Sequence, residues 1–355
     1  MIILDAHEDI AYLQQCFQRD YRKSALVTRK QEASAGLNYP QATVGLPEAI
    51  AGRVAVVFST LFVAPAGGWN PGWPEPEYTN QQEAYTLASA QLDIYEKLAD
   101  DSPHIRLIRT RADLDAVLAT WEEGKPLSGR QQGFVVLMEG ADPVREPQEF
   151  EEWYGRGVRI VGLSWAAKSR YAAGNGTEGT LTRDGYALLD VMADQGAILD
   201  LSHLNANAVE AALDYYPGTI IASHSNARKF CDTDRHLSDA LIRRLAERDG
   251  VMGTVLYNRF LSPGWKKGDA KASLTLDVVV AAIDHVCQVT GSAAHVGIGS
   301  DYDGGFGSES IPYEIDTVAD TRQIARKLRL RGYNENDIEA VMSGNMLRKL
   351  REALK

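Results

Sequence analysis

MIILDAHED, residues 1–9, is a short apolar run that ends in side chains able to bind metal ions. Four later stretches have the same form: VVLME (135–139), AILDLSH (197–203), TIIASH (219–224) and VGIGSD (296–301). A parallel β/α barrel gathers the C-terminal ends of its strands on one face, so residues far apart in the chain meet there. The pattern therefore predicts one polar site, formed by His7, Asp9, Glu139, His203, His224 and Asp301.

Strand and helix patterns alternate along the whole chain. Apolar, β-branched runs predict eight strands, and most are continuous rather than alternating, which is typical of strands covered on both faces. Such alternation predicts βαβ units, and eight of them predict an α/β fold, a (β/α)8 TIM-type barrel formed by a single domain, 1–355. The predicted strands are 2–5, 54–62, 134–138, 158–163, 197–201, 218–222, 251–255 and 295–299, and the predicted helices are 81–99, 110–120, 183–195, 205–215, 237–247, 275–290 and a pair within 335–354.

Composition excludes several classes of function. The 355 residues carry a net charge of -11 without a basic stripe, which argues against binding to nucleic acid or to an anionic membrane surface. The three cysteines include no CxxC pair, so a zinc-thiolate site is not expected. No apolar run reaches transmembrane length, and Met1 leads directly into the first predicted strand without a signal peptide. A cytoplasmic location is therefore expected.

Two segments are predicted as loops. The segment 63–80 is rich in Pro and Gly and carries Trp69, Trp73 and Tyr78. It follows the second strand, so it is expected on the catalytic face as a long loop, either a packed surface loop or a lid that forms part of the substrate wall. The segment 260–274 is expected to be a solvated connection.

The first three candidate ligands suit metal ions for distinct reasons. His7 and Asp9 are two residues apart, so in extended backbone both side chains point the same way. Glu139 has two carboxylate oxygens and can bridge two cations, which also compensates its burial. The alternatives are a capping Asp beside a structural His, and a salt-bridged Glu at the barrel rim.

The remaining candidates follow later strands. His203 and His224 each come after an apolar run and a Ser, and two such histidines on successive strands favour ligands over core histidines. Asp301 is predicted to ligate an ion and to accept a proton. Asp303 precedes a Gly and is predicted to be a turn residue.

This set of side chains indicates hydrolysis. A divalent ion lowers the pKa of bound water towards neutrality, and two ions that share a hydroxide also polarise a carbonyl. The expected substrates are therefore amides, esters or lactams. The chain has no Ser nucleophile elbow and no Gly-rich phosphate loop, which disfavours acyl-enzyme and nucleotide chemistry.

Segments spread over almost the whole chain resemble the membrane (renal) dipeptidase family, peptidase family M19, whose members are binuclear zinc peptidases with an amidohydrolase-like barrel. An HxD opening and a bridging Glu are the most specific of the shared features. The matching segments are LDAHEDIA, VVLMEGAD, GVRIVGLSW, AILDLSHLN, IIASHSNAR, VMGTVLYNRF, VGIGSDYDGG and SGNMLRKL.

The resemblance implies a role for each metal-binding candidate. His7 and Asp9 would bind one zinc ion, and His203 and His224 the other. Glu139 would bridge the two ions, and catalysis would involve both Glu139 and Asp301, the latter as the residue that moves protons.

The resemblance also implies how the substrate is bound. Arg235 would pair with its free α-carboxylate, which the guanidinium fork fits in a bidentate manner. Tyr257 would line the pocket. Trp165 stands where the animal enzymes carry a His that is thought to stabilise the tetrahedral intermediate, and an indole cannot carry that positive charge.

We therefore expect a metal-dependent dipeptidase with two divalent ions, zinc above all, that hydrolyses L,L and L,D dipeptides by attack of a metal-bridging hydroxide. The alternatives are a hydrolase of N-acyl amino acids, lactams or esters, and a metal-dependent lyase on the same scaffold. The expected partner is a small dipeptide substrate, and the resemblance also implies a homodimer.

Overall fold

Eight parallel strands close into a barrel in the computed structural model, which describes residues 1–67 and 72–355. Each strand pairs with the next in chain order, and β1 pairs with β8 to close the ring, with Asp5 opposite Ile298. The strands are β1 Ile3–Glu8, β2 Val54–Phe62, β3 Gln132–Glu139, β4 Val158–Gly162, β5 Ile198–Asp200, β6 Ile220–Ser225, β7 Val251–Thr254 and β8 Val296–Ile298.

Helices connect the strands and cover the barrel. Residues 340–344 form a π-helical turn between the last two helices. The α-helices are α1 Ile10–Phe17, α2 Ala25–Ser34, α3 Leu46–Gly52, α4 Gln81–Asp101, α5 Arg111–Ala119, α6 Phe150–Arg156, α7 Arg183–Gln195, α8 Ala206–Tyr215, α9 Asp239–Glu247, α10 Asn258–Leu261, α11 Leu276–Thr290, α12 Arg322–Arg331, α13 Glu335–Glu339 and α14 Asn345–Ala353.

Side-chain caps explain where several predicted helices begin. The Asn80 side chain accepts a hydrogen bond from the backbone N–H of Glu83 at the start of α4. Thr110 and Asp113 form a reciprocal capping box at the start of α5. The predicted helices that follow β2, β4, β5, β6 and β7 are thus confirmed with small shifts at their ends.

Strands β1 and β6 run further than their apolar residues predicted. They include His7 and His224, which were expected just beyond the strands. Every residue of the eight barrel strands is buried, polar residues included. The polar ends of the strands therefore lie in surroundings of low dielectric constant, where charges interact strongly.

Two short strand pairs lie outside the barrel. Ile105–Leu107 pairs with the beginning of β3, and Ala64–Pro65 pairs with Glu77–Tyr78 inside the segment 63–80. No helix within the described ranges is long and apolar enough to cross a membrane.

Candidate metal centre and its cleft

The structure brings the six candidate side chains together at the C-terminal end of the barrel. His7 lies in β1, Glu139 is the last residue of β3, and His224 lies in β6. His203 and Asp301 follow β5 and β8 by three residues. Asp9 stands at the N-cap position of α1, but its side chain makes no capping hydrogen bond there, so the capping alternative is wrong.

One group of side chains surrounds His7. The Nε2 atom of His7 lies 3.5 Å from Oδ2 of Asp9 and 3.5 Å from Oε2 of Glu139. It lies 3.8 Å from Oδ1 of Asp301. The donor atoms of His7, Asp9 and Asp301 all lie within 4.8 Å of one another, a span that a single cation can bridge, and those of His7, Glu139 and His224 do so as well.

The second group faces the other oxygen of Glu139. Its Oε1 atom lies 2.9 Å from Nε2 of His203 and 3.3 Å from Nε2 of His224. The two Nε2 atoms are 3.0 Å apart. Glu139 thus presents one oxygen to each group.

Hydrogen bonds on the far side of two imidazoles hold their Nε2 atoms towards Glu139. Nδ1 of His203 lies 3.1 Å from Oδ1 of Asn175, and Nδ1 of His224 lies 2.8 Å from Oγ of Ser223. Ser223 in turn donates to the carboxylate of Asp200. Partners of this kind orient histidine ligands and set their tautomer.

The backbone is unusual at two of the six residues. His203 and Asp301 have φ values of 67° and 61°, in the left-handed region that non-glycine residues rarely adopt. Such conformations cost roughly 1–3 kcal/mol each and cluster at functional sites. Near Asp301, a Cβ atom on Gly304 would lie 2.8 Å from Oδ2 of Asp9 and would also overlap the Asp301 carboxylate. Glycine there leaves the room that both carboxylates occupy.

The electrostatics of the site keep two of its histidines neutral. Burial lowers the pKa of His203 to about 4, and the positive charge of Arg235 adds to the effect. Burial and the charge of His7 lower the pKa of His224. Neutral imidazole is the form that binds a metal ion, so both side chains are ready to act as ligands at neutral pH.

His7 and Glu139 shift each other's pKa. Burial alone would lower the pKa of His7, but the carboxylates of Glu139 and Asp9 outweigh it and raise that pKa. Burial would raise the pKa of Glu139, but the charge of His7 and hydrogen bonds from the other imidazoles hold it well below its usual range. Burial and the charges of Asp9 and Glu139 raise the pKa of Asp301. A buried acidic cluster of this kind favours positive charge at its centre.

Divalent metal ions fit these residues. Oδ1 of Asp9 is buried and has no hydrogen-bond partner among the described residues. Imidazole nitrogen and carboxylate oxygen are donors that zinc and similar ions prefer, and the two groups share Glu139. Both sets of donors open onto one cleft, because Asp9, Glu139, His203 and Asp301 line it.

The cleft has a volume of about 260 Å³ and two clusters of wall residues. The Trp165 wall consists of Tyr12, Phe62 and Trp165, whose rings contact each other in that order. The Arg235 wall consists of Arg235, Tyr257, Arg259, Phe260 and Phe306. All three residues predicted to bind substrate, Arg235, Tyr257 and Trp165, therefore line the cleft.

Arg235 is a buried cation. It is 8% exposed, and its guanidinium donates to the backbone oxygen of His224 at 2.8 Å and to Oγ of Ser225 at 3.2 Å. Its Nε atom has no partner among the described residues, and burial lowers its pKa. No carboxylate in the described part of the chain forms an ion pair with it, although the charges of Asp301, Glu139 and Asp200 oppose the effect of burial on its pKa.

The segment 63–80 supports the cleft from behind. The Trp73 indole donates to the Tyr12 hydroxyl at 3.0 Å, and that hydroxyl donates to Glu75 at 2.6 Å. Within 63–67 and 72–80 no residue lines the cleft, and Trp69 lies outside the described residues. The described parts therefore brace the Trp165 wall rather than cover the substrate.

Two expectations for nearby loops need correction. Phe260 lines the cleft, so the segment 260–274 is not simply a solvated connection. Asp303 does more than form a turn, because its carboxylate accepts hydrogen bonds from the backbone amides of Thr43 and Val44. That contact holds the chain before α3 against the loop that carries Asp301.

The sequence analysis missed several residues of the site. Asn175 lies in an irregular loop without periodicity, and Phe306 follows a glycine pair. Arg259 stands next to the predicted Tyr257 but had no local pattern of its own. Their only signal was proximity in sequence to predicted site residues.

Comparisons with known proteins agree with this geometry. Residues 1–355 match the family model described as membrane dipeptidase (peptidase family M19). An uncharacterized protein of Klebsiella pneumoniae, encoded in the pqqA 5' region, is 29% identical over 74% of this chain and 94% of its own length. Dipeptidase aclJ of Aspergillus oryzae is 25% identical over 98% of this chain and 77% of its own length. The crystal structure of a metallopeptidase from Rhodobacter sphaeroides, liganded with a phosphinate mimic of L-Ala-D-Ala, has a TM-score of 0.78 at 20% identity and covers 99% of both chains. The predicted barrel is thus confirmed, and the chain belongs to the membrane dipeptidase family as a metallo-dipeptidase.

Proposed function

We propose that this metallo-dipeptidase hydrolyses the peptide bond of both L,L and L,D dipeptides in the cleft, with two zinc ions as cofactors. The observation that carries the proposal is the position of Glu139. One of its carboxylate oxygens faces the group around His7, and the other faces His203 and His224. The unpaired Arg235 beside them supplies the second element, a fixed site for an anion.

The ligand roles follow from the two donor groups. His7 and Asp9 would hold one ion, His203 and His224 the other, and Glu139 both. When bound there, such ions supply an activated water at neutral pH and polarise the scissile carbonyl.

Asp301 is the proposed proton carrier. Its carboxylate lines the cleft beside the donor groups, and burial together with the charges of Asp9 and Glu139 raises its pKa. It would take a proton from the attacking water and give it to the leaving amine, as a general base and then a general acid.

Arg235 would direct hydrolysis to the peptide bond that precedes the carboxyl-terminal residue. Its guanidinium shares a cleft of about 260 Å³ with the donor groups, so a carboxylate bound to it lies close to the scissile bond. Only a residue at the carboxyl terminus brings its α-carboxylate that near the bond. The ligand of the Rhodobacter sphaeroides relative, a dipeptide mimic that ends in D-Ala, supports the inclusion of L,D substrates.

Trp165 would shape the other end of the cleft. Its ring lies 5.0 Å from Phe62 and 5.8 Å from His203 between ring centroids. An indole there offers an apolar surface and one N–H donor but no positive charge. We therefore assign it to contact with the amino-terminal residue of the substrate rather than to charge stabilisation.

The test is amino-acid release from a panel of L,L, L,D and D,D dipeptides by zinc-loaded protein, with chelated and reconstituted protein as controls. Zinc-dependent release from L,L and L,D substrates is expected. Release from N-acyl amino acids but from no dipeptide, by protein that holds two ions per chain, would replace the proposal with the acylase alternative. Release that is unaffected by chelation would refute the metal-dependent mechanism.

A further inference from the structure

Arg259 brings a second guanidinium into the cleft. It lies in α10, two residues after Tyr257, and its exposed side chain lines the cleft together with Tyr257. Tyr257 is itself held in place by stacking on Phe306, with ring centroids 4.3 Å apart and an angle of 14° between the planes. Arg259 and Tyr257 therefore lie together on the cleft wall.

Arg259 lies on the same wall as Arg235. The guanidinium carbon of Arg235 is 5.5 Å from the ring centroid of Phe260. Phe260 packs edge-on against Tyr257 at 5.1 Å between ring centroids, and Arg259 lines the cleft together with both rings. Both cations thus lie on the wall to which these two rings belong. A residue whose α-carboxylate binds Arg235 would direct its side chain along this wall.

The carboxylates that line the cleft belong to the candidate metal centre. Those that line it in the described part of the chain are Asp9, Glu139 and Asp301, and all three belong to the metal centre. The structure does not describe residues 68–71. Their sequence, Gly68-Trp69-Asn70-Pro71, contains no Asp or Glu. No ion pair of Arg259 with a carboxylate occurs among the described residues. The charge of Arg259 is therefore available to a ligand in the cleft.

We propose that Arg259 determines specificity, and that it selects dipeptides whose carboxyl-terminal residue has an acidic side chain. This inference rests on the proposed dipeptidase function and on the binding of the α-carboxylate by Arg235. An Asp or Glu side chain would meet the second guanidinium, and a Lys or Arg side chain would meet like charge with no acid to offset it.

The exposure of Arg259 sets the expected size of the preference for acidic side chains. A charged hydrogen bond at the rim of a cleft is weaker than a buried one, so a preference of about fivefold in kcat/KM for Ala-Asp over Ala-Asn is expected. The preference should lie mainly in KM, because the side chain binds alike in the ground state and the transition state. Raising the salt concentration should weaken it.

The experiment compares Ala-Asp with Ala-Asn and Ala-Glu with Ala-Gln, in both configurations of the second residue, using zinc-loaded protein. Arg259→Gln should abolish the acidic preference, and Arg259→Lys should keep part of it. The matched control is Arg243→Gln, an exposed arginine of α9 that does not line the cleft, and it should leave the preference intact.

The following outcomes would overturn the inference. Turnover of all dipeptides without an acidic preference, or a preference that survives in Arg259→Gln, would refute the role of Arg259 and leave the dipeptidase function standing. Absence of turnover with every dipeptide, by protein with full metal content, would refute the proposed function and this inference with it.

Discussion

Replacing Arg235 by Gln tests the carboxylate clamp most directly. The guanidinium is 8% exposed, so solvent screens it little, and a substrate carboxylate would form charge-assisted hydrogen bonds with it. Hydrogen bonds to charged groups contribute roughly 1.5–3 kcal/mol of net free energy. Since each 1.36 kcal/mol corresponds to a factor of ten, kcat/KM for Ala-Ala should fall about 10- to 150-fold.

The assay compares the native protein and two Arg235 variants on two substrates. Ala-Ala has the free carboxylate and Ala-alaninamide lacks it, so only the first should depend strongly on the guanidinium. In the native protein the amide should be the poorer substrate by a similar factor, and in Arg235→Gln the two substrates should become nearly equal. Arg235→Lys should fall between, because an ammonium keeps the charge but not the fork.

One result would refute the reasoning. Arg235 also donates to the backbone oxygen of His224, so its removal can disturb a metal ligand rather than the substrate. Equal losses for the acid and the amide, with zinc content unchanged, would mean that Arg235 positions the loop instead of binding the carboxylate.

Three further predictions concern the metal centre and the stability of the fold. Asn175→Ala removes the partner of His203 Nδ1, so zinc affinity should fall roughly 10- to 100-fold in a chelator competition; unchanged affinity would contradict the orienting role. Gly304→Ala places a Cβ against the carboxylates of Asp9 and Asp301, and zinc affinity should fall at least about tenfold by the same assay, with full affinity as the contrary result. Burial, together with the charges of Arg235 and Arg228, lowers the pKa of His236 to about 3, whereas the unfolded chain titrates near its ordinary value. Below pH 6.5 the unfolded state therefore binds a proton that the folded state does not, and stability falls as pH falls from about 6.5 towards 3. From pH 7 to pH 5 this one group should cost about 2 kcal/mol, and His236→Gln should lose that part of the decline in urea unfolding; an unchanged pH dependence would contradict it.

The candidate site was largely predictable because its pattern is local. Each of the six convergent side chains ends or closely follows an apolar run, and a parallel barrel turns that repeated pattern into one location. The strand ends were less predictable. Apolar runs stop where the barrel mouth becomes polar, although the backbone of β1 continues as strand through His7.

The features that were missed depend on tertiary contacts. Helix α1 has only 8 residues and buries four successive ones from Ile10 to Leu13, and a short continuous apolar run does not distinguish a helix from a strand. The hydrogen bonds from Thr43 and Val44 to Asp303 join positions about 260 residues apart. No local pattern encodes the left-handed backbone at His203 and Asp301, because it depends on the loops that surround them.

The direct pairing of β1 with β8 also has a consequence for biosynthesis. His7 is synthesised early, but Asp301 follows it only 294 residues later. Until β8 joins β1, the barrel is an open sheet and the cluster lacks one of its carboxylates. The complete cluster can therefore form only after β8 and Asp301 have been synthesised, and a nascent chain stalled before β8 would expose an unfinished set of polar side chains.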